Sequence, residues 1–243
     1  MTYSSVMKEE SDFPKLVSAG ADAVIVYLGE GISVSVNQRV LAAVKVVKEQ
    51  LSDVVLDLVP SYNSLMVYYN VLSIDEPEIR ERLRKALADL SSDTSEQSGK
   101  LHRIPVYYDE SVGPDLARIA DMNNCSVDDV IKMHTEQTYR VYAMGFAPGF
   151  AYLGEVTEKI RTPRLDNPRK RITAGSVAIA ESQTAVYPSA SPGGWNIIGR
   201  TSTQLYDPSS GTISPLNVGD EVEFYAVSKE QFIEEGGDTE ALS

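Results

Sequence analysis

The residues best suited to chemistry in this chain of 243 residues are cations set among glycines, prolines and aromatic rings. Between positions 161 and 171 stand Arg161, Arg164, Arg169, Lys170 and Arg171 against one carboxylate, Asp166, in a protein of formal net charge −13. Such a local reversal of sign suits an anion, or else a basic loop that docks on an acidic neighbour. Arg164 and Arg169 each follow a proline, Pro163 and Pro168, which stiffens the backbone that aims them. A planar guanidinium matches a carboxylate or phosphoryl group, so these two arginines are the first candidates for a catalytic clamp.

The clamp sits inside the stretch 145–201, where Gly, Pro and aromatic residues are densest. Phe146, Pro148, Phe150 and Tyr152 in GFAPGFAYLG, Tyr187 in QTAVYP and Trp195 in SPGGWNIIGRT are candidates to line a small-molecule pocket, or to fill a core. Gly193 and Gly194, after Pro192, offer backbone N–H groups to an oxyanion, or form only a turn. Gln183, with Glu181, can meet an amide from a strand edge, or face solvent. His134 ends a helix just before the strand that leads into this stretch. It is a candidate acid–base group, or a helix-end cation favoured by the dipole.

Other chemistries find little support. Histidine occurs only at 102 and 134, HExxH is absent, and no metal-ligand spacing appears, so no metal site is expected. There is no GxSxG elbow, no GxxxxGK[ST] and no GxGxxG after a strand. Cys125 is the only cysteine, so an internal disulfide is excluded and an inert thiol is expected. A pI near 4.6 argues against nucleic acid. No run of 18 apolar residues suggests a membrane span, and the amino terminus lacks a secretory leader, so a cytoplasmic location is expected.

The elements that must position these residues fall into two groups. After an acidic arm over 1–14, the apolar run Ala23–Leu28 predicts a strand, and Asn37–Leu51 a helix with Val40, Leu41, Val44, Val47 and Leu51 on one face. Val54–Val59 and Leu65–Tyr69 predict two strands around a tight connection, and Glu78–Leu90 a second helix. This order is the split βαβ pattern of a ferredoxin-like α/β domain over 15–99. The pattern leaves open whether the strand His102–Tyr108, beyond the polar stretch 91–100, completes that sheet or opens the next domain.

Two short helices, 114–123 and 126–134, then precede a strand over 138–144. Further short strands are expected at 177–180, 185–187, 195–198 and 222–227, which predicts a closed or nearly closed β-barrel over 100–228. The remainder, 229–243, is acidic and is expected to fray. The fold class is therefore α+β.

GFAPGFAYLG, TPR…NPR…ITAGSVAIA, QTAVYP and SPGGWNIIGRT, in this order, closely resemble the KipI-like family of 5-oxoprolinase B-type subunits, also called allophanate hydrolase subunit 1. DLVPSYNSLMVYYN, IPVYYDESVGPDL and the segment ending MHT extend the resemblance over nearly the whole chain outside its tails. The resemblance implies a cyclophilin-like barrel as the second domain. It also implies a non-autonomous component of 5-oxoprolinase that works with two partners, a KipA-like C-type chain and an A-type chain. Together they open 5-oxo-L-proline to L-glutamate at the expense of ATP with Mg, bound by or shared with a partner. The family also admits two other roles: inhibition of a sporulation-type histidine kinase, and carboxyltransferase-like work in urea or allophanate metabolism.

Overall fold

Alternating burial along two strands organises the amino-terminal part of the chain. The computed structural model describes residues 13–90, 99–209 and 213–239; the arm expected at 1–14 up to residue 12, most of the polar stretch (91–98) and the last four residues lie outside them. The chain divides into two compact units, residues 1–97 and 98–243.

The first unit runs β1 (Lys15–Ser18), β2 (Ala23–Tyr27), α1 (Val34–Gln50), β3 (Val55–Pro60), β4 (Ser64–Tyr69) and α2 (Glu76–Leu87). Every second residue of β2 and β4 is buried, Val24 and Val26 on one and Leu65, Val67 and Tyr69 on the other. They pack against Val40, Ala43 and Val47 of α1 and Ile79, Leu83 and Leu87 of α2. Both helices start before their apolar periodicity does, because polar caps precede it. Ser33 accepts the Val36 N–H and Asp75 accepts the Glu78 N–H. The sheet is antiparallel in the order β1-β2-β4-β3.

A ferredoxin-like sheet would take its fourth strand from beyond the second helix. Here β1, a four-residue strand too short to announce itself by periodicity, fills that edge instead. The strand expected at 102–108 belongs to the second unit as β5 (Leu101–Val106).

The second unit continues with α3 (Leu116–Met122), α4 (Val127–Thr135), β6 (Thr138–Met144), β7 (Ala151–Gly154), β8 (Arg169–Ile172), β9 (Ser176–Ala180), β10 (Gln183–Val186), β11 (Ser191–Gly193), β12 (Asn196–Arg200), β13 (Glu221–Ala226) and α5 (Lys229–Glu234). Seven strands form one sheet in the order β12-β9-β10-β7-β6-β13-β5, with β13 and β5 parallel. Its two ends meet where Tyr107 and Arg200 exchange backbone hydrogen bonds of 2.8 and 2.9 Å, which makes the sheet a nearly closed barrel. Gly199 is needed at this seam, since a Cβ there would stand 2.7 Å from the Tyr107 carbonyl oxygen.

The two faces of the curved sheet carry different cores. Leu153, Val177, Ile179, Val186, Ile198 and Phe224 belong to the larger cluster, packed with α3 and α4. Their strand neighbours Tyr152, Ala178, Ala180, Ala185 and Ile197 face the other way, into a cluster with Phe150, Tyr187 and Trp195. A separate ribbon of β8 and β11 runs beside this second cluster and contributes Ile172 to it.

The segment expected to fray after 228 instead forms α5, and the Asp238 carbonyl beyond it accepts Arg200 Nη1 at 2.6 Å. Ser228 and Gln231 form a capping box for α5, and Phe232 is fully buried with its ring 5.6 Å from Tyr107. Among the described residues no helix is long and apolar enough to cross a membrane.

Candidate functional site

The aromatic candidates come together as one packed cluster. Phe150 lies at its centre, with ring centroids 4.9 Å from Tyr152, 5.4 Å from Tyr187, 5.7 Å from Trp195 and 5.1 Å from Phe146. Most of these pairs are edge-on, the arrangement favoured by ring quadrupoles. Phe150, Tyr187 and Trp195 are buried, whereas Pro148 is exposed and Phe146 is 61% exposed. Of the two readings left open for these residues, Phe150, Tyr187 and Trp195 take the core one, Tyr152 is half-buried, and Phe146 and Pro148 form the outer rim of the cluster.

The rim owes its shape to an unusual backbone. Phe146 has φ of 70°, a conformation a bulky side chain seldom adopts. Gly149 follows with φ of +83°, and a Cβ there would approach the Leu205 carbonyl oxygen to 2.2 Å. The loop closes on itself through Phe150 N–H to the Ala147 carbonyl at 3.0 Å and Gly145 N–H to the Phe150 carbonyl at 3.1 Å. An exposed ring held in a strained loop is a feature typical of functional surfaces.

The five cations divide by their partners. Arg161 is committed to Glu155 at 3.1 Å and to the Val156 carbonyl at 2.9 Å. Lys170 and Arg171 are exposed. Arg164 makes no ion pair with a carboxylate among the described residues, and its guanidinium carbon lies 5.7 Å from the centre of the Trp195 ring. Arg169 is held in a fork by Asp115, with N–O distances of 2.8 and 2.9 Å.

Tyr187 is the polar focus of the cluster. Burial pushes its phenol up to about 12, while the Trp195 backbone N–H and the charges of Arg164 and Arg169 pull the other way. Gly193 makes room for this hydroxyl, because a Cβ there would stand 2.4 Å from the Tyr187 oxygen. Gly193 is paired in the ribbon opposite Arg169, and the Gly194 carbonyl accepts the Leu165 N–H at 2.7 Å. The two glycines thus serve close packing and loop closure. Gln183 lies half-buried at the start of β10, beside Gly154, and Glu181 is exposed with φ of 53°.

His134 does not join this group, and its expected catalytic role is corrected. It is fully buried and stacks on Phe224 at 4.7 Å, inside the other cluster. Thr184 donates its hydroxyl proton to the Ala178 carbonyl, so its oxygen accepts from His134 Nε2 at 2.9 Å. Nδ1 is then the bare nitrogen and accepts the Tyr108 hydroxyl at 2.7 Å. Burial lowers the imidazole to about 3, so it is neutral and spent on structure. A charged helix-end histidine is likewise excluded.

Three residues escaped the sequence reading. Asp115 and Asn196 are buried polar groups, and Arg118 donates to the Asn196 side-chain oxygen at 2.5 Å. The Asn196 amide donates in turn to the Pro163 and Ile179 carbonyls, both at 3.0 Å. For Asp115 and Asn196 the available signal was their place inside the motif stretches GPDL and GGWN; Arg118 lies outside them, and the partners of all three are distant in sequence. Among the described residues no group of three His, Cys, Asp or Glu side chains could hold a metal ion.

Comparison with known proteins adds the following. Residues 14–216 match the carboxyltransferase domain family, subdomains C and D. The chain is 36% identical over 223 residues to the 5-oxoprolinase B subunit of Bacillus subtilis (strain 168), covering 88% of this chain and 92% of that protein. It is 37% identical over 170 residues to the 5-oxoprolinase B subunit of Haemophilus influenzae (strain ATCC 51907 / DSM 11121 / KW20 / Rd), covering 70% and 78% respectively. The crystal structure of TTHA0988 superposes with a TM-score of 0.74 at 35% identity; the match covers 85% of this chain and 40% of that one. Kluyveromyces lactis urea carboxylase has the same fold, with a TM-score of 0.76 at 19% identity over 97% of this chain and 24% of the larger one.

Proposed function

The chain belongs to the carboxyltransferase domain family, subdomains C and D, and from that premise we propose that it is the B-type subunit of an ATP-dependent 5-oxoprolinase. The likeness to proteins named as the B subunit of 5-oxoprolinase, at 35–37% identity over most of the chain, supports the assignment. The observation within the molecule that carries it is Arg164, an exposed guanidinium without a carboxylate partner among the described residues, laid over Trp195; its charge acts with that of Arg169 on the Tyr187 phenol. That is a ring-backed cationic face suited to a small anionic amide.

In this reading the barrel is cyclophilin-like, and 5-oxo-L-proline rests its ring against Phe146 and the edge of the aromatic cluster. Arg164, with the remaining N–H groups of Arg169, takes negative oxygen: the carboxylate, or the lactam oxygen as charge develops on it. Tyr187 stays protonated and donates or accepts a hydrogen bond without supplying charge.

The sequence holds no phosphate-cradling glycine motif, and among the described residues no group of three His, Cys, Asp or Glu side chains could hold a metal ion. In this reading Mg–ATP is bound by, or shared with, the companion chains, one of A type and one KipA-like, of C type. The likeness to urea carboxylase, at 19% identity, bears on fold alone and does not favour a carboxyltransferase role.

The test combines the chain with its A- and C-type companions, Mg–ATP and 5-oxo-L-proline and measures glutamate. Glutamate formation that requires this chain, and that falls about 100-fold or more in Arg164→Ala, is the expected result. Turnover without the chain would remove the assignment; unchanged turnover in Arg164→Ala and Arg169→Ala together would remove the site.

A further inference from the structure

We infer that Asp115 is a positioning residue, which holds the Arg169 guanidinium in its working orientation and ties it to β12, the strand that begins one residue after Trp195. This inference rests on the site proposed above.

Asp115 stands at the N-cap position of α3, where an aspartate ordinarily accepts an N–H from its own helix. Here the carboxylate makes no cap hydrogen bond. It is turned away, 5% exposed, and bonds to other segments instead. One oxygen accepts Arg169 Nη2 at 2.9 Å; the other accepts Arg169 Nη1 at 2.8 Å and the Ile197 N–H at 2.7 Å. The Asp115 N–H donates to the Ile197 carbonyl at 3.0 Å, so residue 197 is gripped on both sides. One carboxylate thereby joins β12, two residues after Trp195, to the first residue of β8.

The fork uses one hydrogen from each terminal nitrogen of Arg169 and leaves three N–H groups. The fixed guanidinium cannot swing into water, because two parallel bonds define its plane. Arg169 lies opposite Gly193 in the ribbon, and Gly193 is where the Tyr187 hydroxyl is accommodated. The three remaining hydrogens thus belong to a group whose position beside Tyr187 is set by Asp115. A lone structural ion pair would not need to grip the start of β12 as well.

The experiment measures KM for 5-oxo-L-proline, kcat and Tm of the assembled enzyme carrying Asp115→Asn, Asp115→Glu, Arg169→Lys or Asp53→Asn. Asp53→Asn is the control, since it breaks a surface fork of the same two-bond geometry with Arg82 in the first unit. Asp115→Asn and Arg169→Lys are expected to raise KM about tenfold or more. Asp115→Glu keeps the charge but displaces the guanidinium by a methylene, and is expected to raise KM by a smaller factor with Tm near wild type. Should the Asn variant not fold, the Glu variant carries the test. Wild-type KM in Asp115→Glu, or in a folded Asp115→Asn whose Tm alone falls, overturns the inference while an impaired Arg169→Lys keeps the site. Wild-type KM in both Arg169→Lys and Arg164→Ala overturns the site and the inference together.

Discussion

His134 Nε2 lies 2.9 Å from the hydroxyl of Thr184, a residue whose immediate neighbour on β10, Ala185, faces the aromatic cluster instead. One step along a strand separates a neutral, fully bonded histidine from the candidate site, because successive side chains leave a sheet on opposite faces. Proximity in sequence to GFAPGF therefore placed His134 on the wrong side of the sheet.

The same contact predicts how stability responds to acid. The imidazole is lowered to about 3 when folded and titrates near its ordinary 6.5 when unfolded. The unfolded chain thus binds the extra proton between those values, and stability present above about pH 6.5 is lost as the pH falls toward 3. The contribution approaches about 1.4 kcal/mol per pH unit. Denaturant titrations of the wild type and of His134→Gln across pH 4–7 should show a shallower acid dependence in the variant; parallel curves would place the proton uptake elsewhere.

Trp195 is the chain's one tryptophan, so its fluorescence reads the site directly. Removing the cation above it in Arg164→Ala should change the emission intensity while stability shifts by only about 0.5–1 kcal/mol, the range for an exposed cation–π contact. An identical spectrum would mean that the guanidinium does not occupy the ring face in solution.

At the barrel seam, Gly199→Ala forces a methyl to 2.7 Å from the Tyr107 carbonyl oxygen, a backbone atom held by the seam itself, and to 2.9 Å from the Val106 side chain. Amide hydrogen exchange at Tyr107 and Arg200, the two donors of the seam, should accelerate. Unchanged protection of both would show that the seam tolerates the added carbon.

Phe232→Ala removes a fully buried ring stacked on Tyr107 and should cost about 3–5 kcal/mol. Limited proteolysis within 229–239 should then outpace cleavage in the wild type. Equal rates would mean that α5 is not held by this ring.

Much of the architecture could be read in one dimension. Helices α1, α2 and α4 follow from apolar spacing and from caps that act within three residues, and the density of Gly, Pro and aromatic residues over 145–201 marked the loop and rings that do assemble. The basic strip in an acidic chain and the prolines before Arg164 and Arg169 made these two arginines candidates, and no more than that. Only the tertiary structure decided that β1 rather than β5 completes the first sheet, that Arg169 is bound by Asp115 across 54 positions, and that Asn196 reaches Arg118 across 78. Periodicity records which face of an element is apolar, a local property. Strand partners and buried hydrogen bonds are chosen by segments that are distant along the chain, and nothing in either partner's immediate neighbours specifies the other.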